Sequence, residues 1–202
     1  MRRIAPLSRL LAIVGLLAVA AAHAEEIEVR EVQIRAVEEG LALDADFRFE
    51  LTSRLADVVT NGVPLYFRVD FELTRRRWYW FDETAARAQL QRRLSYHALS
   101  RQYRLSTGML QQSFATLEEA LNVLRRVRNW PVVDRTAIFA DSEYEATVRM
   151  RLDITQLPKP FQLSALTSRE LHLESPWKRF TVRALQLPAP VESREPAGAD
   201  ER

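Results

Sequence analysis

The chain has 202 residues, no cysteine, 47% hydrophobic and 28% charged residues, with 29 Lys+Arg against 27 Asp+Glu. That length supports one domain with an ordinary core. The missing cysteines exclude disulfide staples and cysteine-based metal sites, and the balanced charge excludes the broad basic field that generic nucleic-acid binding needs.

The first residues read as an export signal. Arg2, Arg3 and Arg9 precede the apolar run LLAIVGLLAVAAA, which closes on Ala22-His23-Ala24 before Glu25 and Glu26. This is the three-part layout of a secretory signal peptide over residues 1–24, with a bacterial periplasm as the destination. The run is short of the roughly 20 residues a spanning helix needs, an uncleaved anchor being the alternative. No later apolar run approaches that length, so no transmembrane segment is expected after cleavage. Cleavage removes three arginines and no acid, taking Lys+Arg from 29 to 26 against 27 acids.

The domain follows over residues 25–187. Residues 27–37 read as a strand whose apolar parity slips between Val29 and Val32, which predicts a bulge. Glu38-Glu39-Gly40 reads as a hairpin turn. Leu41, Leu43, Ala45, Phe47, Phe49 and Leu51 then alternate strictly with charged residues, the pattern of a half-buried antiparallel strand. Ser53 is placed to cap a short helix that buries Leu55, Val58 and Val59, with Gly62 just past its end.

Alternation returns at Val63, Leu65, Phe67, Val69, Phe71 and Leu73, with Arg68, Asp70 and Glu72 opposite. It runs into Arg75, Arg76, Arg77, Trp78, Tyr79, Trp80 and Phe81. Unbroken parity would send Arg75 and Arg77 inward and Trp78 and Trp80 outward. A bulge within the arginine run would bury the tryptophans instead and turn the arginines out, and that is the expectation. Exposed aromatics beside arginines are the other reading, since such groups anchor partners. Asp82-Glu83 is expected to cap a turn or pair with the arginines. Residues 85–98 have helix formers, yet Leu90, Leu94, Tyr96 and Ala98 alternate, and strands are expected through to residue 113.

Thr116-Leu117-Glu118-Glu119 is a capping box. It opens a helix with Leu117, Ala120, Leu121 and Leu124 on one stripe, expected to run through the arginines to Trp130-Pro131. Tyr144, Ala146, Val148, Met150, Leu152 and Ile154 form a further alternating strand. Residues 157–160 (Leu-Pro-Lys-Pro) read as a rigid connector, and residues 161–173 and 180–187 as the last strands. Residues 188–202 lack an apolar pattern and read as a disordered tail. About eight strands with two short helices predict a mainly β fold, an antiparallel β-sandwich. A curved antiparallel sheet with helices on one face (α+β) is the alternative.

Chemistry-bearing motifs are sparse. After the signal, His97 and His172 are the histidines, no metal-ligand spacing is present, and five glycines provide no phosphate-cradling loop. Ser95-Tyr96-His97 lacks a nucleophile elbow, so a structural hydrogen bond is expected of His97. No catalytic residue, metal or cofactor is expected. The candidate binding residues are Arg75, Arg76, Arg77, Trp78 and Trp80, with Tyr96, Arg101 and Tyr103 as the other side of a groove.

Four stretches carry a resemblance: RRRWYWFDE, LSYHALSRQYRLS (residues 94–106), SFATLEEAL (113–121) and RLDITQLPKPFQ (151–162). Together they resemble an uncharacterised exported proteobacterial domain of unknown function, labelled a proline-rich signal peptide protein, over roughly residues 26–187. The resemblance carries over no activity, cofactor or catalytic residue. It implies a gene neighbourhood with a membrane sensor kinase of the nitrogen-regulation type. The expected function is a periplasmic, non-catalytic interaction domain for an unknown envelope protein, with that kinase as candidate partner. A carrier of a small apolar ligand or lipid between the sheets is the alternative, and a hydrolase comes last.

If residues 1–24 are cleaved, N-terminal sequencing of the periplasmic fraction will begin at Glu25. The intact chain recovered in membranes would contradict this.

Overall fold

The computed structural model describes residues 26–75, 83–138, 143–165 and 168–183. The expected signal peptide, the expected tail, and Arg76, Arg77, Trp78 and Trp80 lie outside the described residues.

Among the described residues, nine strands form two antiparallel sheets, with three α-helices in the connections between strands. The small sheet has the order β1-β2-β7, from Glu28–Val37, Gly40–Arg48 and Arg126–Asp134. The large sheet has the order β6-β5-β4-β3-β8-β9. Its strands are β3 (Leu65–Arg75), β4 (Glu83–His97), β5 (Gln102–Thr107), β6 (Leu110–Phe114), β8 (Glu143–Leu152) and β9 (Lys178–Arg183). Helices α1 (Ser53–Thr60) and α2 (Leu117–Leu124) touch the β4, β5 and β6 part of this sheet. One core holds Leu43 and Phe47 of the small sheet, Phe67 and Phe71 of β3, and Met150 of β8. The fold is therefore a mainly β sandwich, as the alternation predicts.

Period two sets the layers. In β3 the odd positions from Leu65 to Leu73 are buried, and in β8 the even positions from Tyr144 to Leu152 are. The register matches them, Phe67 facing Leu152, Val69 facing Met150 and Phe71 facing Val148. The expected bulge in β1 is present, as a register shift between Val29 and Glu31. The hairpin turn is Glu38-Glu39, and Gly40 has φ +148, with a Cβ there only 2.0 Å from the Val133 carbonyl oxygen. Only glycine lets β7 come that close. Residues 83–97 form one 15-residue strand; the alternation outweighs the helix propensity because β3 needs a partner on its second edge.

Several local expectations are corrected. The α1 cap is Thr52, not Ser53: the Thr52 hydroxyl accepts from the Leu55 N–H at 3.0 Å. Helix α2 has its expected capping box but ends at Leu124, not at Trp130. Residues 126–134 instead form β7, which buries Val127, Trp130, Val132 and Val133 against β2. The free edge of β2 thus overrides local helix propensity. Pro131 is tolerated because β7 is an edge strand. The expected strand over residues 161–173 and the connector before it become helix α3, Lys159–Ala165, and a turn of 3-10 helix at Arg169–Leu171. Pro160 falls in the first turn of α3, where a missing N–H costs nothing. Among the described residues there are thus three α-helices rather than two.

The junction of α2 and β7 is held from the large sheet. On the inner face of β4, Arg92 donates from Nη1 to the carbonyls of Val123 and Leu124 at 3.1 Å and of Arg126 at 2.7 Å. These carbonyls lie at the negative end of the helix. Burial, then nearby Arg128, push the Arg92 guanidinium down to about 10, so it stays charged at neutral pH. Nearby, Asp44 accepts from the Asn129 N–H at 2.6 Å, holding Asn129 at φ 49 in the irregular part of β7. That bond first, with Arg35 also contributing, lowers the Asp44 carboxyl below its ordinary 3.8.

Arg92→Met strips the donor from these carbonyls, each unsatisfied buried group costing about 1–3 kcal/mol. A loss of about 2–4 kcal/mol in urea unfolding is expected; a loss under about 1 would contradict the clamp. Asp44→Ala should cost about 1.5–3 kcal/mol at neutral pH, as for hydrogen bonds to charged groups. The folded carboxyl titrates below the unfolded one, so its stabilisation is complete above 3.8 and lost as pH falls through the folded value. Urea midpoints of the two proteins should therefore converge in acid; a constant gap down to strongly acidic pH would refute the linkage.

Candidate functional site: an arginine face on the large sheet

The outer face of the large sheet carries the even residues of β3 and the odd residues of β4 and β8. Arg87, Gln89, Gln91 and Arg93 of β4 are exposed to solvent. Near the middle stands Asp70, which alternation places on the wetted face but which is only 6% exposed. The register explains its burial. Arg149 lies directly opposite Asp70, Arg151 is opposite Arg68, and Arg68 is two residues before Asp70 on its own strand. Three arginines therefore surround one carboxylate.

The contacts follow. Asp70 Oδ2 accepts from Nε of Arg149 and from Nε of Arg151, each at 3.1 Å. Arg68 Nε lies 3.5 Å from Asp70 Oδ1, and Arg68 Nη1 lies 4.0 Å from Asp153 Oδ2. Neither Arg68 Nε nor Asp70 Oδ1 has a hydrogen-bond partner, though both are buried. Arg149 stacks over the ring of Trp177 at 4.4 Å, and Trp177 is 38% exposed. Arg93 lies over the Tyr66 ring at 6.0 Å. Three guanidinium groups thus converge on one buried carboxylate, flanked by an indole. Such a surface can bind an anionic group.

Of the residues singled out from sequence, the described ones, Arg75, Tyr96, Arg101 and Tyr103, do not gather here. Arg75 ends β3 and pairs with Glu83, the residue it faces on β4. Its pairing with Tyr144 on β8 is in unbroken register, and the one shift against β4 falls between Leu73 and Thr74. Arg75 thus keeps its inward parity, with 21% of its side chain exposed, and is not turned out by a bulge before it. Tyr96 and Tyr103 face each other with ring centroids 4.9 Å apart, and the Tyr103 hydroxyl is 3.0 Å from Thr60 Oγ1 of α1. Arg101 lies exposed between β4 and β5 with φ 52. Tyr96 is 13 residues along β4 from Glu83, about 40 Å at strand rise. Arg75 and the Tyr96–Tyr103 pair therefore do not share a groove.

The histidines have local partners. His97 Nδ1 is 2.9 Å from Ser100 Oγ, and His172 Nε2 donates to the Ala165 carbonyl at 2.7 Å. Among the described residues no group of three or more His, Cys, Asp or Glu side chains converges, and no helix is long and apolar enough to cross a membrane.

A family model described as a domain of unknown function (DUF4390) matches residues 24–181, and the chain belongs to that family. No curated protein and no solved structure matches it.

Removing one partner of a buried charge cluster costs about 3–5 kcal/mol, because the remaining charges are left uncompensated. Asp70→Asn should approach that loss in urea unfolding, whereas Glu72→Gln, whose carboxylate pairs with exposed Arg87, should cost under about 1. Equal effects would contradict the assignment of Asp70 as the organising carboxylate.

Proposed function

We propose that this domain is an exported, periplasmic, non-catalytic interaction module that meets an envelope protein through the outer face of its large sheet. The observation that carries the reading is the position of Asp70. A carboxylate buried on a solvent-side face, with Arg68, Arg149 and Arg151 around it, organises charge outward rather than toward the core. Charged and aromatic groups held rigid on a flat face suit recognition of a partner of opposite charge. The balanced total charge supports a local patch rather than a diffuse field.

The inside of the sandwich supports the same reading over a carrier. Phe49 and Phe67 stack at 5.5 Å between the layers, and side chains of both sheets and of α1 and α2 join in one cluster. A carried lipid would need that space. For the partner, a membrane sensor kinase of the nitrogen-regulation type is the first candidate, because the resemblance read from the sequence implies a gene neighbourhood with one.

Photo-crosslinking amino acids placed at exposed Gln89 and Gln91, and at exposed Gln33 on the small sheet, test this in whole envelopes. A discrete protein adduct from the β4 positions but not from Gln33, identified by mass spectrometry and probed for the kinase, is the expected result. Adducts from Gln33 alone, or none from β4, would refute the proposed face.

A further inference from the structure

We infer that Arg68, Arg149 and Arg151 form a site for a phosphoryl group, of the class of phosphate esters. This rests on the reading of the outer face as the binding face and adds the chemistry it binds.

The first argument is the count of donors. Each guanidinium has five N–H donors, and Arg149 and Arg151 each give Nε alone to Asp70. Among the described residues their terminal nitrogens have no carboxylate or carbonyl acceptor. The shared bond to Asp70 Oδ2 fixes where both groups sit, so little ordering remains to be done on binding. The second argument is charge. Within ion-pair distance three cations meet two carboxylates, Asp70 and Asp153; the exposed Glu174 is the bridge partner of Arg151 and stands at the rim.

The third argument is exposure. The side chains of Arg68, Arg149 and Arg151 are 26%, 27% and 25% exposed. They are reachable from solvent, yet shielded enough that an ion pair there is stronger than one on an open surface. A carboxylate offers two oxygens, whereas a phosphoryl group offers three to converging arginine forks, the geometry that arginine matches best. Trp177 supplies an apolar shelf beside Arg149, on which the organic part of an ester can rest. A shallow cleft of about 310 Å³ adjoins that shelf, lined by Ile27, Val29, Pro176, Trp177 and Lys178 with Glu26 and Glu28.

Titration calorimetry of the purified protein with inorganic phosphate and with glycerol 1-phosphate tests the site, with acetate at matched ionic strength as control. Dissociation constants at or below about 1 mM for both phosphates, and weaker binding of acetate, are expected. Arg151→Lys keeps the charge but loses the fork, so affinity should fall about tenfold. Arg149→Gln with Arg151→Gln should abolish binding, and Arg101→Gln should leave it unchanged. Phosphate bound no better than acetate, or Arg101→Gln as damaging as Arg151→Lys, would overturn the site. Should the double variant fail to fold, Arg151→Lys alone still decides.

Co-sedimentation with phosphatidic acid vesicles, whose headgroup is a phosphomonoester, against phosphatidylcholine vesicles, separates the sources. Arg151-dependent binding to the former assigns a lipid headgroup, and binding to glycerol 1-phosphate alone assigns a soluble ester. A crosslinked envelope adduct that persists in Arg151→Lys, without any phosphate binding, would sink the phosphoryl site and leave the interaction reading standing.

Discussion

The fold turns on the Arg92 guanidinium. A helix ends with carbonyls that its own backbone cannot satisfy, and α2 ends beside β4 of the large sheet. Arg92 reaches those carbonyls from β4 and also takes that of Arg126, the first residue of β7. One side chain of the large sheet therefore sets where the chain stops being a helix and becomes a strand of the small one. Arg125, two residues after Val123, works from the other side. Arg125 donates from Nε to the Phe49 carbonyl at 2.9 Å and lies over the Phe49 ring, which stacks on Phe67 of β3. Between them the two arginines fix the small sheet over the large one.

With the layers fixed, one hydrophobic cluster lies between them and the arginine cluster lies outside. Its arrangement is a matter of register. Slipping β8 by one residue against β3 would turn every side chain of β8 to the opposite face, sending Arg149 and Arg151 into the core. The buried pairs Phe67–Leu152, Val69–Met150 and Phe71–Val148 forbid that. The hydrophobic core thus dictates which arginines flank Asp70.

Much of the frame was legible from the chain. Strict alternation in residues 41–51, 63–73 and 144–154 marked β2, β3 and β8, and the parity slip at Val29 marked the bulge in β1. The Thr116 box marked the start of α2. Its end was not legible, because Arg125 to Trp130 favours a helix locally and only the unpaired edge of β2 makes it a strand. Helix α3 was hidden for the converse reason: Lys-Pro-Phe looks extended until Pro160 is seen to occupy a first turn. The arginine cluster was the least legible feature. Arg68, Asp70, Arg149 and Arg151 each looked like an ordinary wetted position in its own strand, and nothing in one sequence states that β3 and β8 are neighbours in that register. The conspicuous run at Arg75 drew attention by its composition, while its one described residue stands at a strand end, paired with Glu83.

The central claim is that the outer arginine face is the surface this domain presents to the envelope. The most direct measurement is arginine footprinting with a dicarbonyl reagent and mass spectrometry, on the purified protein and in intact envelopes. The account predicts that modification of Arg93, Arg149 and Arg151 slows several-fold in envelopes while Arg35 and Arg101 react as before. Unchanged reactivity on the face, or protection confined to Arg35 and Arg101, would contradict it.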